Sequence, residues 1–118
     1  IMPFAQENTR KYYADNRELA EDIAAGYKVI ADVYAAGCRD LPFDDCSWGM
    51  LVDPLACTLF DTDEKGLKAI KEQLLELNNM AIAGKPDDLV INTHVCRGNF
   101  HSTYVSSVSY THLRAHET

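Results

Sequence analysis

Asp88-Leu-Val-Ile-Asn-Thr-His-Val-Cys96 is the run on which the fold turns. It is apolar and β-branched and follows the breakers Gly84 and Pro86, so it reads as the clearest strand in the chain. Side chains alternate along a strand. Leu89, Ile91 and Val95, with Thr93 among them, therefore share one face, and Val90, Asn92, His94 and Cys96 share the other. The first set suits packing beneath helices. The second turns polar toward the strand's C-terminal end.

Upstream lies a helical pattern over 63–83, with Leu67, Ile70, Leu74, Leu77 and Ala81 as its apolar stripe. Gly84 and Pro86 stop it. Residues 45–62, with Trp48, Gly49 and Pro54, read as a loop. Before that loop, Cys38-Arg-Asp-Leu-Pro-Phe-Asp44 has strand length. Leu41 and Phe43 share one face, and Asp40, Pro42 and Asp44 the other. Pro42 cannot donate to a ladder, which counts against a central position. Further upstream the spacing of Leu19, Ile23, Tyr27, Ile30 and Tyr34 predicts one helix from Asp15 to Ala36. Asp15 and Glu18 are spaced as a capping box, and Gly37 stands where a left-handed C-cap is wanted. Residues 1–14 show no period and read as a loop.

The order is helix, strand, helix, strand, which points to parallel βαβ units in a barrel or a doubly wound sheet. With 118 residues the chain can make one small domain but not a complete (β/α)₈ barrel. A net charge of -7 without a basic stripe excludes nucleic acid as an expected partner. No long apolar run is present to span a membrane, and no basic-then-apolar leader is visible, so the cytoplasm is the expected setting. Ile1 in first place is read as a sign that the natural start lies upstream. The four cysteines form no C-x-x-C pair, and Cys38, Cys46 and Cys57 read as small buried or half-buried thiols.

Cys96 differs because His94 stands two residues before it. At a strand end, positions i and i+2 point the same way, so imidazole and thiolate are presented to one point. Zinc accepts nitrogen and sulfur at about 2.0–2.3 Å, and these two groups are half a site. On the triplet alone, a hydrogen-bonded histidine beside a buried thiol is the favoured description. Asp44 ends the earlier strand opposite Leu41 and Phe43, so neighbouring parallel strands would bring a carboxylate to the same rim. An N-cap or surface role for Asp44 stays open, and Asp45, of opposite parity, reads as structural. Arg97 and Asn99 either bind a carboxylate or shape the following loop, and Trp48 and Phe100 read as packing.

Asp44-Asp-Cys-Ser-Trp48, Ala83-Gly-Lys-Pro-Asp-Asp88 and His94-Val-Cys-Arg-Gly-Asn-Phe100 together resemble the short, single-barrel branch of the cobalamin-independent methionine synthase family. The resemblance spans roughly residues 15–107. It implies an α/β fold in which this chain is part of a (β/α)₈ TIM barrel, about two consecutive αβ units. It implies zinc held by His94 and Cys96, with the family's remaining glutamate and cysteine ligands further along. Asp44 would hold the amino group of homocysteine. The implied activity, that of the full-length parent, is methyl transfer from a methyltetrahydrofolate to homocysteine, giving methionine. A related zinc enzyme alkylating coenzyme M, or an inactive fragment binding no metal, are the other readings.

Residues 108–118 break the pattern. Ser109-Tyr-Thr-His-Leu-Arg-Ala-His-Glu-Thr118 looks like translated sequencing-adapter DNA, so the native chain is expected to end at Ser107. His112, His116 and Glu117 are accordingly excluded as ligands. The resulting division is 1–107 as a piece of a catalytic barrel and 108–118 as a non-native tail.

Overall fold

The computed structural model of the chain describes residues 7–98 and 101–107. Residues 108–118, where the non-native tail was expected, lie outside the described residues, as do 1–6, Asn99 and Phe100. After a 3₁₀ turn at Glu7–Lys11 come helices α1 (Asn16–Gly26) and α2 (Val29–Ala35), then strand β1 (Asp40–Asp44). Short helices α3 (Ser47–Leu51) and α4 (Ala56–Leu59) lead to the long helix α5 (Glu64–Ile82) and strand β2 (Val90–His94). Two compact units are built from these elements: the described residues up to Leu41 with Ile70–Val90, and Pro42–Ala69 with the described residues from Ile91 onward.

In the first unit, α1 starts where the capping residues require. Asp15 accepts a hydrogen bond from Glu18 N–H at 2.9 Å, and the Glu18 carboxylate accepts from Ala14 N–H at 2.8 Å. The expected single helix is broken at Tyr27 and Lys28. There the backbone switches to i→i−3 bonds, Tyr27 N–H to the Ala24 carbonyl and Lys28 N–H to that of Ala25. Gly26 explains the site of the break, since glycine costs roughly 1 kcal/mol relative to alanine inside a helix. Gly37 (φ 104°) and Gly84 (φ 78°) close α2 and α5 in the left-handed region, as their positions predict. Leu19, Ala20, Ile30, Leu74, Leu77, Ala81 and Leu89 form the buried core of this unit. Asn16 Nδ2 donates to Gln73 Oε1 at 2.9 Å, tying α1 to α5. Asp88, just before β2, accepts from the Tyr34 hydroxyl at 2.7 Å and pairs with Arg39 at 3.1 Å.

In the second unit, the stretch 45–62 is not the plain loop expected from its composition. Asp53 organises it: one carboxylate oxygen accepts Leu55 N–H at 2.8 Å. The other accepts Ser107 N–H at 2.8 Å and the hydroxyls of Ser106 at 3.0 Å and Ser107 at 3.2 Å. Asp53 and Ser106 are both buried, so these bonds stand in for lost water. Neither α3 nor α4 is long enough to display a helical period, which is why the sequence hides them. Asp63 caps α5 by accepting Gly66 N–H at 2.7 Å.

β1 and β2 pair in parallel, Val90 N–H bonding the Arg39 carbonyl and Asp45 N–H the His94 carbonyl. Phe43 is buried and Leu41 half-buried, whereas Asp40, Pro42 and Asp44 are exposed, which is the parity expected of β1. The partial TIM barrel is not found. Among the described residues there is one sheet, and it has two strands. Barrel closure needs every strand paired on both sides; here each has one neighbour, and Val90 on β2 is exposed. Alternating strands and helices predict parallel pairing, but the pattern carries no information about closure.

Candidate metal centre

Parallel pairing places the C-terminal ends of β1 and β2 side by side, and the second unit holds everything at that rim. The bond from Asp45 N–H to the His94 carbonyl, 3.0 Å, sets the register. As a result Asp44 Oδ1 stands 2.9 Å from His94 Nδ1. The residues at i+2 of each strand end then meet as well. Cys46 Sγ donates to Asp44 Oδ1 at 3.0 Å, and Cys96 Sγ donates to Cys46 Sγ at 3.0 Å. Gly98 N–H donates to Cys96 Sγ at 3.4 Å.

Asp44, Cys46 and His94 offer an oxygen, a sulfur and a nitrogen that all lie within 4.8 Å of one another. Cys96 reaches this set through Cys46. The structure thus brings Asp44 and His94 together directly, while Cys96 is linked to them by a residue that the sequence reading treated as an ordinary thiol. A signal for Cys46 was present. Asp44-x-Cys46 repeats the spacing of His94-x-Cys96 one strand earlier, with 50 residues between equivalent positions.

The electrostatics follow from these contacts. The Cys46 thiol and the His94 ring, both bonded to Asp44, hold its carboxyl below the usual carboxylate range. Contact with the Cys96 thiol first, then the Asp44 carboxylate and burial, push the Cys46 thiol up to about 12. Cys46 is thereby held in its thiol form. In the tautomer that donates Nδ1–H to Asp44, the His94 lone pair would stand on Nε2, the arrangement in which a carboxylate orients a metal-binding imidazole. Nitrogen and thiol sulfur are the donors zinc favours, so the residues fit that ion.

The supporting loop is tightly built. Gly49 in α3 is buried, and a Cβ there would lie 2.5 Å from the Cys96 carbonyl oxygen. Arg97 donates from Nε to the Ser106 carbonyl at 3.0 Å and lies 4.1 Å over the Tyr104 ring. Its own carbonyl accepts Val105 and Ser106 N–H. Of its two readings, the structure supports loop shaping. The four cysteines are free thiols, and all are half-buried.

Two curated relatives match, both from Bacillus subtilis (strain 168). Uncharacterized protein YxjH is 37% identical over 114 residues, covering 93% of this chain and 29% of its own length. Uncharacterized protein YxjG is 35% identical over 111 residues, covering 85% of this chain and 27% of its own length. The chain thus spans less than a third of the curated relatives it matches. No family model and no solved structure matches. Among the described residues no helix is long and apolar enough to cross a membrane.

Proposed function

We propose that this chain supplies part of the site of a zinc-dependent methyltransferase, cytoplasmic in setting, that forms methionine from homocysteine with a methyltetrahydrofolate as donor. The activity is that of the full-length parent. The observation that carries the reading is the meeting of the Asp44 carboxylate with the His94 imidazole, 2.9 Å apart, at a rim that also holds Cys96. The H-x-C-R-G-N motif at 94–99 adds to it by resemblance.

His94 and Cys96 would hold the zinc. Zinc, when bound, makes the thiolate form of a thiol stable at neutral pH, where a free thiol with pKa of about 8.5 is mostly protonated. Asp44 does two things in this scheme: it fixes the His94 tautomer and offers a carboxylate to the ammonium of the amino acid. Overall, a carbon–sulfur bond forms as the donor's carbon–nitrogen bond breaks, and the thiol proton ends on that nitrogen.

Metal analysis and assay of the complete parent protein test this. The expected result is about one zinc per chain, lost in His94→Ala and in Cys96→Ser, with turnover of homocysteine. Full zinc content in both variants refutes the ligand assignment. Turnover of coenzyme M alone assigns the site to the other alkyl transferase, and a parent without zinc or turnover marks the site as inactive.

A further inference from the structure

Asp44-x-Cys46 and His94-x-Cys96 run side by side, and the bond from Asp45 N–H to the His94 carbonyl sets equivalent positions opposite one another. One opposed pair is a carboxylate and an imidazole. The other is two thiols, with their sulfurs 3.0 Å apart. We propose that Cys46 and Cys96 are a redox pair, which a low-molecular-weight disulfide of the glutathione type oxidises to an intrachain bridge that withholds Cys96 from the metal. The withholding rests on the proposed role of Cys96 as a zinc ligand; the bridge does not.

The distances favour closure. A disulfide needs Cα atoms roughly 4.4–6.8 Å apart, and neighbouring strands are spaced by about 4.8 Å. With the sulfurs already at 3.0 Å, a bond of about 2.05 Å asks for about an ångström of side-chain movement and no change of register. The two thiols are also confined. Gly98 N–H donates to Cys96 Sγ at 3.4 Å, and Gly49 lies against the Cys96 carbonyl. Cys46 Sγ is held between Cys96 Sγ and Asp44 Oδ1. Both cysteines are half-buried, so a small oxidant can reach them. Cys38 is engaged elsewhere, donating to the Asp40 carbonyl at 3.3 Å.

The exchange runs in two steps. One cysteine attacks the small disulfide, giving a mixed disulfide and releasing one small thiol. The other cysteine attacks that mixed disulfide and releases the second. A Cys46–Cys96 bond forms as the oxidant's sulfur–sulfur bond breaks, and both protons leave on the two small thiols. The protein gives up two electrons and the oxidant gains them. A sulfur in the bridge has no thiolate to offer a metal, so zinc capture at Cys96 would require reduction.

The metal-free chain is reduced, equilibrated with oxidised and reduced glutathione, blocked with a maleimide and mapped by mass spectrometry under non-reducing conditions. Two of the four thiols should be lost as one Cys46–Cys96 crosslinked peptide pair. No lysine or arginine separates Cys46 from Cys57, so Cys57→Ser, which should give the same crosslink, fixes the partner after tryptic cleavage. In urea, where the strands no longer align, the bridged fraction should fall and pairing should spread over all four cysteines. Cys46→Ser should stop at a mixed disulfide on Cys96. In the metal-free parent the bridge should lower zinc affinity by more than about 100-fold, beyond the loss of an outer partner. Reduction should restore zinc uptake and, with Co²⁺ as probe, the sulfur-to-cobalt charge-transfer band.

Free thiols that persist at Cys46 and Cys96, separate mixed disulfides on both, or a pairing no more selective in buffer than in urea overturn the bridge and leave the proposed function standing. A bridged parent that binds zinc as tightly as the reduced one overturns the withholding. A reduced parent without zinc overturns the proposed function and the withholding together, whereas the peptide map of the bridge does not depend on either.

Discussion

Asp44 shows what one carboxylate can decide at the residue scale. From parity alone it was expected to face the same rim as His94, and it does. Its hydrogen bond to Nδ1 was not legible, because strand register depends on pairing that no single segment encodes. That bond alters an expectation. As a substrate-binding group only, Asp44→Asn should weaken amino-acid binding and leave zinc untouched. Given the contact with His94, we predict in addition a fall in zinc affinity of roughly tenfold, the low end for an outer partner. Competition with a chromogenic chelator measures it, and unchanged zinc affinity would show that the bond does not orient the ring. Cys46 is the half-buried thiol expected, but its place in the rim cluster was not legible. Its contact with Cys96 arises only once the strands align. Asp53 makes the second residue-scale prediction. Its carboxyl is held below the usual range, chiefly by Leu55 N–H and further by Ser107 N–H and the two serine hydroxyls. A depressed folded-state pKa means its stabilisation is complete above the unfolded value of about 3.9 and is lost as pH falls through the lower folded value. Asp53→Asn would turn an amide N–H₂ toward the Ser107 donor. It should cost on the order of 1–3 kcal/mol in urea unfolding at neutral pH and flatten the acid limb. An equally steep acid limb in that variant would reject the assignment.

Among the elements, long periodic segments were readable and short ones were not. The stripe of α5 and the alternation of β1 belong to elements whose buried faces repeat several times. The expected helix over Asp15–Ala36 had the right period but missed the break after Gly26, since a side-chain pattern does not register a local change to i→i−3 bonding. Helices α3 and α4 depend on Asp53 and its serine partners, a long-range network that no local window can show. The clearest element-scale prediction concerns α3. Gly49→Ala would place a methyl group 2.5 Å from the Cys96 carbonyl oxygen, a backbone atom that cannot swing away. We expect a loss of about 1–3 kcal/mol, as for overpacking, together with weakened cobalt binding because Cys96 must shift. Wild-type stability and cobalt affinity in this variant would mean that the helix moves instead.

At the scale of the whole molecule, parallel pairing was legible, whereas the expected piece of a barrel is not found among the described residues. Among the described residues each strand of the sheet has one partner, and Leu55, Leu59, Leu75, Val90 and Val105 are exposed. Parallel sheets ordinarily have both faces covered, and the curated relatives are more than three times as long as the stretch they share with this chain. Two compact units and exposed apolar side chains lead us to expect a broad thermal transition for the isolated chain. A single sharp melt, with equal calorimetric and van't Hoff enthalpies, would contradict this.

The repeated x-spacing at the two strand ends has one more consequence. Its four side chains come from segments 50 residues apart and meet only when β1 and β2 are in register. An ion captured by the assembled cluster therefore favours the folded state over a chain that offers only its local pairs, and its chemical potential becomes a lever on folding. At one hundred times the dissociation constant such a ligand adds about 2.7 kcal/mol to the native state. The melting temperature of this chain should then climb with free zinc and fall back on chelation.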